Sequence, residues 1–159
     1  MSSDPAPPQA TRCAAKVVID NRTGSHFKFT VEHQYTGWPI DKKENVLYKP
    51  DEKSLFFSNV DYNTGWETTG VDNWKVSGTQ MNEETGEFEF GKFKVDGKTT
   101  KKLVEGAKFV CGSGALAAWK KHTLRKEDDG KETVIKIFPT EVHFVSPSGT
   151  STTDFTVVK

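Results

Sequence analysis

The chain has 159 residues, a length that favours one domain, and its 22 basic and 22 acidic side chains sum to a formal net charge of zero. That balance argues against a broad electrostatic claim on nucleic acid or on an anionic membrane. No apolar run approaches the roughly 20 residues of a membrane-spanning helix, and a composition 34% hydrophobic with two Cys excludes collagenous, coiled-coil and disulfide-scaffold classes.

Residues 1–12 hold Pro5, Pro7 and Pro8 and lack the positive start and apolar core of a signal peptide. They read as a disordered leader to a single domain over residues 13–159. Such a chain is expected in the cytoplasm, with Cys13 and Cys111 as reduced, buried thiols. Asn21-Arg22-Thr23 has the form of a glycosylation acceptor, and a turn is the preferred reading.

The dominant hydrophobic period is two, the signature of half-buried strands. It is clearest from His26 to Tyr35, where Phe27, Phe29, Val31, His33 and Tyr35 share one face. His33, on that apolar face, reads as a satisfied core imidazole. Further strands are expected at Cys13–Asp20, Asn45–Lys49, Ser54–Val60 and Asn73–Met81, separated by Gly, Asn, Pro and Asp punctuation. Glu87–Val95 changes phase: Phe88 and Phe90 have one parity, Phe93 and Val95 the other, and a β-bulge at Gly91 would return all to the core. Lys108–Cys111 is a short apolar strand, and Ala115–Lys121 could make two helical turns. Asp96-Gly97 and Asp129-Gly130 are hairpin signals, the second joining Lys121–Glu127 to Glu132–Phe138. Glu141–Ser146 and Phe155–Val158 complete about ten short strands, the pattern of an all-β, single-domain antiparallel β-sandwich.

Charge is uneven along the chain. Residues 32–91 carry 12 acidic and 5 basic side chains, and residues 92–131 carry 11 basic and 5 acidic, enough to make opposed surfaces.

Catalytic and cofactor patterns fail on spacing. Gly91–Thr99 has five residues between its glycines where a P-loop has four, and Gly112-Ser113-Gly114 lacks the repeated βαβ units of a dinucleotide site. His26, His33, His122 and His143 make no HxH or HxxxH metal pair, and no serine stands in a nucleophile elbow. A Cys111–His pair would need an adjacency that spacing does not supply. The chain reads as a protein that is not an enzyme, with no required cofactor.

Residues 61–74 are the most unusual stretch. Asp61, Asn63 and Asp72 are candidate oxygen ligands for a hard cation such as Ca²⁺, although their spacing misses the EF-hand pattern and Asn63-Thr64-Gly65 is an ordinary turn. Trp38, Tyr62, Trp66 and Trp74 are candidate members of an aromatic ledge that would stack on a glycan or lie at a lipid headgroup interface; the alternative is core packing.

Several of these segments recur in order in a known family. Val18–Gly24, Tyr62–Trp66, Thr69–Trp74, His122–Asp128, Val142–Phe144 and Ser146–Gly149 resemble the domain family named in nematodes for induction when insulin-like signalling is lost, which has fungal members. The resemblance covers most of residues 16–158. It implies a small domain linked to stress or longevity, with no catalytic residues to carry over. A weaker likeness, through Ile19-Asp20-Asn21 with Gly24 and Lys49–Glu52 before Ser54-Leu55, is to the actinoporin and fungal fruit-body lectin superfamily. It implies a β-sandwich that binds membranes or glycans, but the amphipathic N-terminal helix and dense Trp/Tyr cluster of actinoporins are missing. The expectation is a lectin-like or lipid-headgroup-binding module that does not span the membrane. The alternative is a stress-associated protein–protein interaction domain.

Overall fold

The computed structural model describes residues 11–64, 70–86, 89–90, 93–94, 100–112 and 118–158; at 89–90 and 93–94 it describes the backbone alone. The leader falls almost wholly outside the described residues. Its last two residues, Thr11 and Arg12, already belong to a strand.

The first half of the chain forms β1 (Thr11–Asn21), β2 (His26–Tyr35), β3 (Asp41–Tyr48), β4 (Lys53–Thr64) and β5 (Asp72–Gly86). Two short strands follow, β6 (Glu89–Phe90) and β7 (Phe93–Lys94), then β8 (Thr100–Cys111) and the two-residue β9 (Lys120–Lys121). A 3-10 turn at Lys126–Asp128 leads into β10 (Glu132–Ile137), β11 (Glu141–Ser146) and β12 (Gly149–Val157). The class is all-β. Ten strands make one nearly closed sheet in the order β3-β2-β5-β8-β12-β11-β10-β1-β4, with β9 beside β5.

Strand β12 creates the two layers. Its residues 149–154 pair with β11 and its residues 155–157 pair with β8, so one strand serves both sheets. The free ends of the sheet, β3 and β4, are consecutive in the chain and lean together: Lys43 Nζ donates to the Phe56 carbonyl at 2.8 Å, and the Tyr48 hydroxyl donates to Ser54 O at 2.9 Å. The connection between them is held by Asn21, whose buried amide donates to Lys49 O and to Ser25 O, both at 2.9 Å. The turn reading of Asn21-Arg22-Thr23 therefore stands, since Thr23 N–H closes back on Asn21 Oδ1 at 3.1 Å.

The core lies between the layers. On β2 every second residue is buried, as its alternation predicts, and the Phe27 and Phe29 rings stack at 5.2 Å. Val17, Ile19, Phe56, Val60, Ile135, Val142, Phe144 and Phe155 close the interior from the facing strands. Each fully buried aliphatic or Phe side chain contributes about 1.5–3 kcal/mol relative to exposure. Cys13 and Cys111 are both free and buried, as expected.

Five expectations need correction. First, the sheet is not wholly antiparallel: β1 and β10 run parallel from Lys16↔Glu132 to Asn21↔Ile137. No hairpin links these two strands, so nothing local dictates their relative direction. Second, Glu87–Val95 is not one bulged strand. Glu89–Phe90 and Phe93–Lys94 are two strands paired antiparallel, Phe90 with Phe93 and Glu89 with Lys94; Glu87, Phe88, Gly91, Lys92 and Val95 lie outside the described residues.

Third, Lys121–Glu127 is not a strand paired with β10. Only Lys120 and Lys121 pair, with β5, and Asp129-Gly130 closes the 3-10 turn, Gly130 N–H reaching Ala14 O at 2.8 Å. Fourth, β8 starts at Thr100, well before Lys108. Its polar half pairs with the polar end of β5, setting Leu103, Lys102 and Lys101 opposite Glu83, Glu84 and Thr85, and Lys101 Nζ lies 3.6 Å from Glu83. The acidic and basic segments thus meet side by side across a ladder. Fifth, the helical reading of Ala115–Lys121 does not hold at its described end, where Ala118 and Trp119 are irregular and Lys120–Lys121 is strand; residues 113–117 lie outside the described residues, as does Asp96-Gly97.

Candidate functional site

The structure divides the expected aromatic ledge. Tyr62 and Trp74 are fully buried, so both are core residues and the ledge reading is corrected for them. Their positions follow from strand alternation, Tyr62 sharing the inner face of β4 with Val60 and Trp74 sharing that of β5 with Asp72 and Val76. Trp38 is half-exposed just after β2, its ring edge-on to Tyr35 at 5.0 Å with the Arg12 guanidinium 5.3 Å above it. Trp66 lies outside the described residues.

The three candidate cation ligands do not converge. Asp61 and Asn63 flank Tyr62 and therefore project from the outer face of β4, where Asp61 accepts from Arg12 at 3.0 Å. Asp72 is fully buried, with both carboxylate oxygens engaged: Oδ1 lies 2.6 Å from His33 Nε2, and Oδ2 accepts from Leu124 N–H at 2.9 Å. Among the described residues no group of three or more His, Cys, Asp or Glu could hold a metal ion. His33 is a satisfied core imidazole, its Nδ1 meeting Asp41 Oδ2 at 2.9 Å. The Cys111 thiol donates to Ala118 O at 3.0 Å and accepts from Val76 N–H at 3.3 Å, burial pushes its pKa up, and no histidine is among its hydrogen-bond partners.

The residues singled out by composition share another role. Each of Tyr62, Asp72 and Trp74 holds the irregular segment 122–128 from beneath. Trp74 Nε1 donates to His122 O at 3.0 Å, Asp72 O accepts from His122 N–H at 3.0 Å, and the Tyr62 hydroxyl donates to Arg125 O at 2.8 Å. Burial above all raises the pKa of Tyr62, so its hydroxyl stays protonated as a donor. At the far end, buried Asp128 accepts from Arg125 N–H at 2.7 Å, from Ser148 N–H at 2.9 Å and from the Ser148 hydroxyl at 2.6 Å. This segment has no regular ladder of its own, so its backbone groups are satisfied by these buried side chains.

Two clefts open along that segment. The first, about 360 Å³, is lined by Asn63, Thr64, Gly70, Thr123, Arg125 and Glu127 among others. Gly70 matters sterically, because a Cβ there would overlap the ring of Tyr35. Arg12, the cross-strand partner of Asn63, carries the Trp38–Arg12–Asp61 group beside this cleft. The second cleft, about 280 Å³, is lined by Lys121, His122, Thr123, Arg125, Thr150 and Ser151 among others, so Thr123 and Arg125 belong to both. His122 sits in a chain of hydroxyls: Nδ1 to Ser151 Oγ at 2.6 Å, Nε2 to Ser146 Oγ at 2.7 Å, and Ser146 Oγ to Thr133 Oγ1 at 2.7 Å. Burial lowers the His122 pKa, which keeps the ring neutral at pH 7.

Sequence reasoning missed the 122–128 segment as a site because Lys121–Glu127 reads as a strand. The available signal was the convergence of His, Thr, Arg and Asp between two strands, which alternation alone does not resolve. The likeness to actinoporins and fruit-body lectins is not confirmed by comparison with known proteins, and no curated protein matches the chain. A model of the family described as "Up-Regulated in long-lived daf-2" matches residues 11–155, and the chain therefore belongs to that family.

Proposed function

We propose that the domain is a non-enzymatic binding module for a glycan, seated in the cleft of Asn63, Thr64, Thr123, Arg125 and Glu127. One observation carries this reading: a cleft of about 360 Å³ edged by hydrogen-bonding side chains, on a segment pinned from beneath by Tyr62, Asp72 and Trp74. The volume suits a sugar-sized ligand. A preorganised wall lowers the ordering cost of binding, and amide, hydroxyl, carboxylate and guanidinium groups match the alternating donors and acceptors of a sugar ring. Trp38, half-exposed beside Asn63's cross-strand neighbour Arg12, offers an aromatic surface at the margin. Apart from Gly70 and Leu124, the described lining residues all carry hydrogen-bonding side chains, which favours glycan over lipid headgroup among the two expected ligands.

The test is a glycan array with folded protein, followed by titration of each hit and by sedimentation with phosphatidylcholine liposomes. Binding to defined oligosaccharides, weakened about tenfold or more by Asn63→Ala or Glu127→Gln, is the expected result. A blank array would overturn it, and liposome binding alone would return the choice to the headgroup.

A protein-partner reading has one observation in its favour, the exposed Leu47 and Leu55 on the end strands β3 and β4. Self-association or a specific stress-lysate partner, lost on Leu55→Lys, would support it. The two free cysteines support a reducing, cytoplasmic setting. Among the described residues no helix is long and apolar enough to cross a membrane.

A further inference from the structure

We infer that the second cleft is an anion subsite, so that the glycan taken by this domain carries a sulfate or phosphate ester; the inference rests on the reading of the first cleft as a glycan site. Lys121 and Arg125 both line the second cleft, both are exposed, and neither makes an ion pair among the described residues. Among the described residues no carboxylate belongs to its lining. Behind the wall, Asp128 is buried and saturated by Arg125 N–H, Ser148 N–H and the Ser148 hydroxyl, and Glu127 belongs to the lining of the first cleft. Two cations lining one cleft with no carboxylate in its described lining repel each other, and an anion relieves that repulsion.

Neutral donors complete the site. The hydroxyls of Thr123 and Thr150 have no hydrogen-bond partner among the described residues, and both residues line this cleft. The third, Ser151, is aimed by His122. With the anion bound, the Ser151 O–H donates to it while Ser151 Oγ accepts from His122 Nδ1–H. His122 Nε2 then accepts from the Ser146 O–H, and Ser146 Oγ accepts from the Thr133 hydroxyl. Every member of the chain keeps a partner in this arrangement, so the buried imidazole acts as a positioning residue for Ser151. The two clefts share Thr123 and Arg125, which places the anionic group next to the sugar ring that bears it.

The fold does not depend on these cationic side chains. Arg125 is used through its backbone, as acceptor for Tyr62 and donor to Asp128, and Lys121 through its strand pairing with Asn73. Arg125→Gln and Lys121→Gln should therefore fold as the parent does, which thermal unfolding will verify.

The experiment titrates the full chain with sodium sulfate and sodium phosphate against sodium chloride at constant ionic strength, following backbone amides and histidine ring nitrogens by NMR. A panel of sulfated, phosphorylated, carboxylated and unsubstituted forms of one oligosaccharide is titrated in parallel. Expected are saturable shifts at Thr123, Thr150 and Ser151, movement of His122 to its Nδ1–H tautomer, and an ester preference of about tenfold that drops towards one in either variant and weakens with salt. Silence to both anions together with equal binding of ester and unsubstituted forms would overturn the subsite and leave the glycan reading standing. Anion binding without any oligosaccharide binding would overturn the glycan reading and keep the subsite. Preference for the carboxylated form over both esters would overturn the ester assignment.

Discussion

Replacing Asp72 by Ala removes a side chain that ties β5, β2 and the 122–128 segment together. Its two oxygens meet His33 Nε2 at 2.6 Å and Leu124 N–H at 2.9 Å, all at buried positions. Alanine leaves the Leu124 amide and the inner nitrogen of His33 without a partner in a place water does not reach. Each orphaned buried polar group costs about 1–3 kcal/mol, so the pair amounts to roughly 2–6 kcal/mol before any cavity is counted. In a chain of this length about 1 kcal/mol moves the melting temperature by roughly 2–4 °C, so a fall of about 5–20 °C is expected. Urea unfolding followed by both Trp fluorescence and circular dichroism measures the change and checks two-state behaviour. Hydrogen exchange locates it: the Leu124 amide should lose protection while the Phe29 and Phe144 amides retain theirs relative to global stability. Asp72→Asn, which keeps one acceptor, should fall between Ala and the parent. A stability loss below about 1 kcal/mol with unchanged Leu124 protection would refute the argument that these contacts hold the segment.

Gly70→Ala should push the Tyr35 ring from its place and cost about 1–3 kcal/mol, the range for overpacking, read by thermal unfolding. An unchanged melting temperature would show that the ring moves aside freely. His122 has its folded pKa lowered by burial from an ordinary value near 6.5, so its contribution to stability is full above that value and is lost as pH falls through the folded pKa. Urea midpoints measured from pH 8 to 4 should therefore decline on the acid side, and His122→Gln should flatten the part of the curve that begins near pH 6.5. A slope identical to the parent's would remove His122 from the account. Cys111, buried and with its thiol pKa raised, should resist an aromatic disulfide reagent in the folded protein and react on unfolding. Rapid labelling of the native chain at neutral pH would contradict that burial.

How far the sequence could be read depends on how local each decision is. The alternation of Phe27, Phe29, Val31, His33 and Tyr35 is a backbone consequence of β geometry, and it marks an inner face and a core histidine in the sequence itself. The all-β class and the turn at Asn21-Arg22-Thr23 follow from the same local chemistry, whereas the free thiols are expected from the lack of a signal-peptide pattern. Family membership was equally legible, because spaced motifs such as Thr69–Trp74 and His122–Asp128 survive as words in the chain. The polar half of β8 was not legible. Lys101 and Lys102 carry no hydrophobic period and become strand only because Glu83, Glu84 and Thr85 run beside them.

Composition by itself determined that Tyr62, Asp72 and Trp74 were unusual, since rings and carboxylates crowded between turn residues need an explanation. Only the tertiary structure decided which explanation holds. Strand parity turns Tyr62, Asp72 and Trp74 inward and Asp61 and Asn63 outward, and that sign depends on register with β1 and β2, set across long sequence separations. A one-residue slip would have made the same residues a ledge. In the observed register they become the buried supports of segment 122–128, and the clefts pass to Thr123, Arg125 and their neighbours, whose irregular backbone no periodicity could announce.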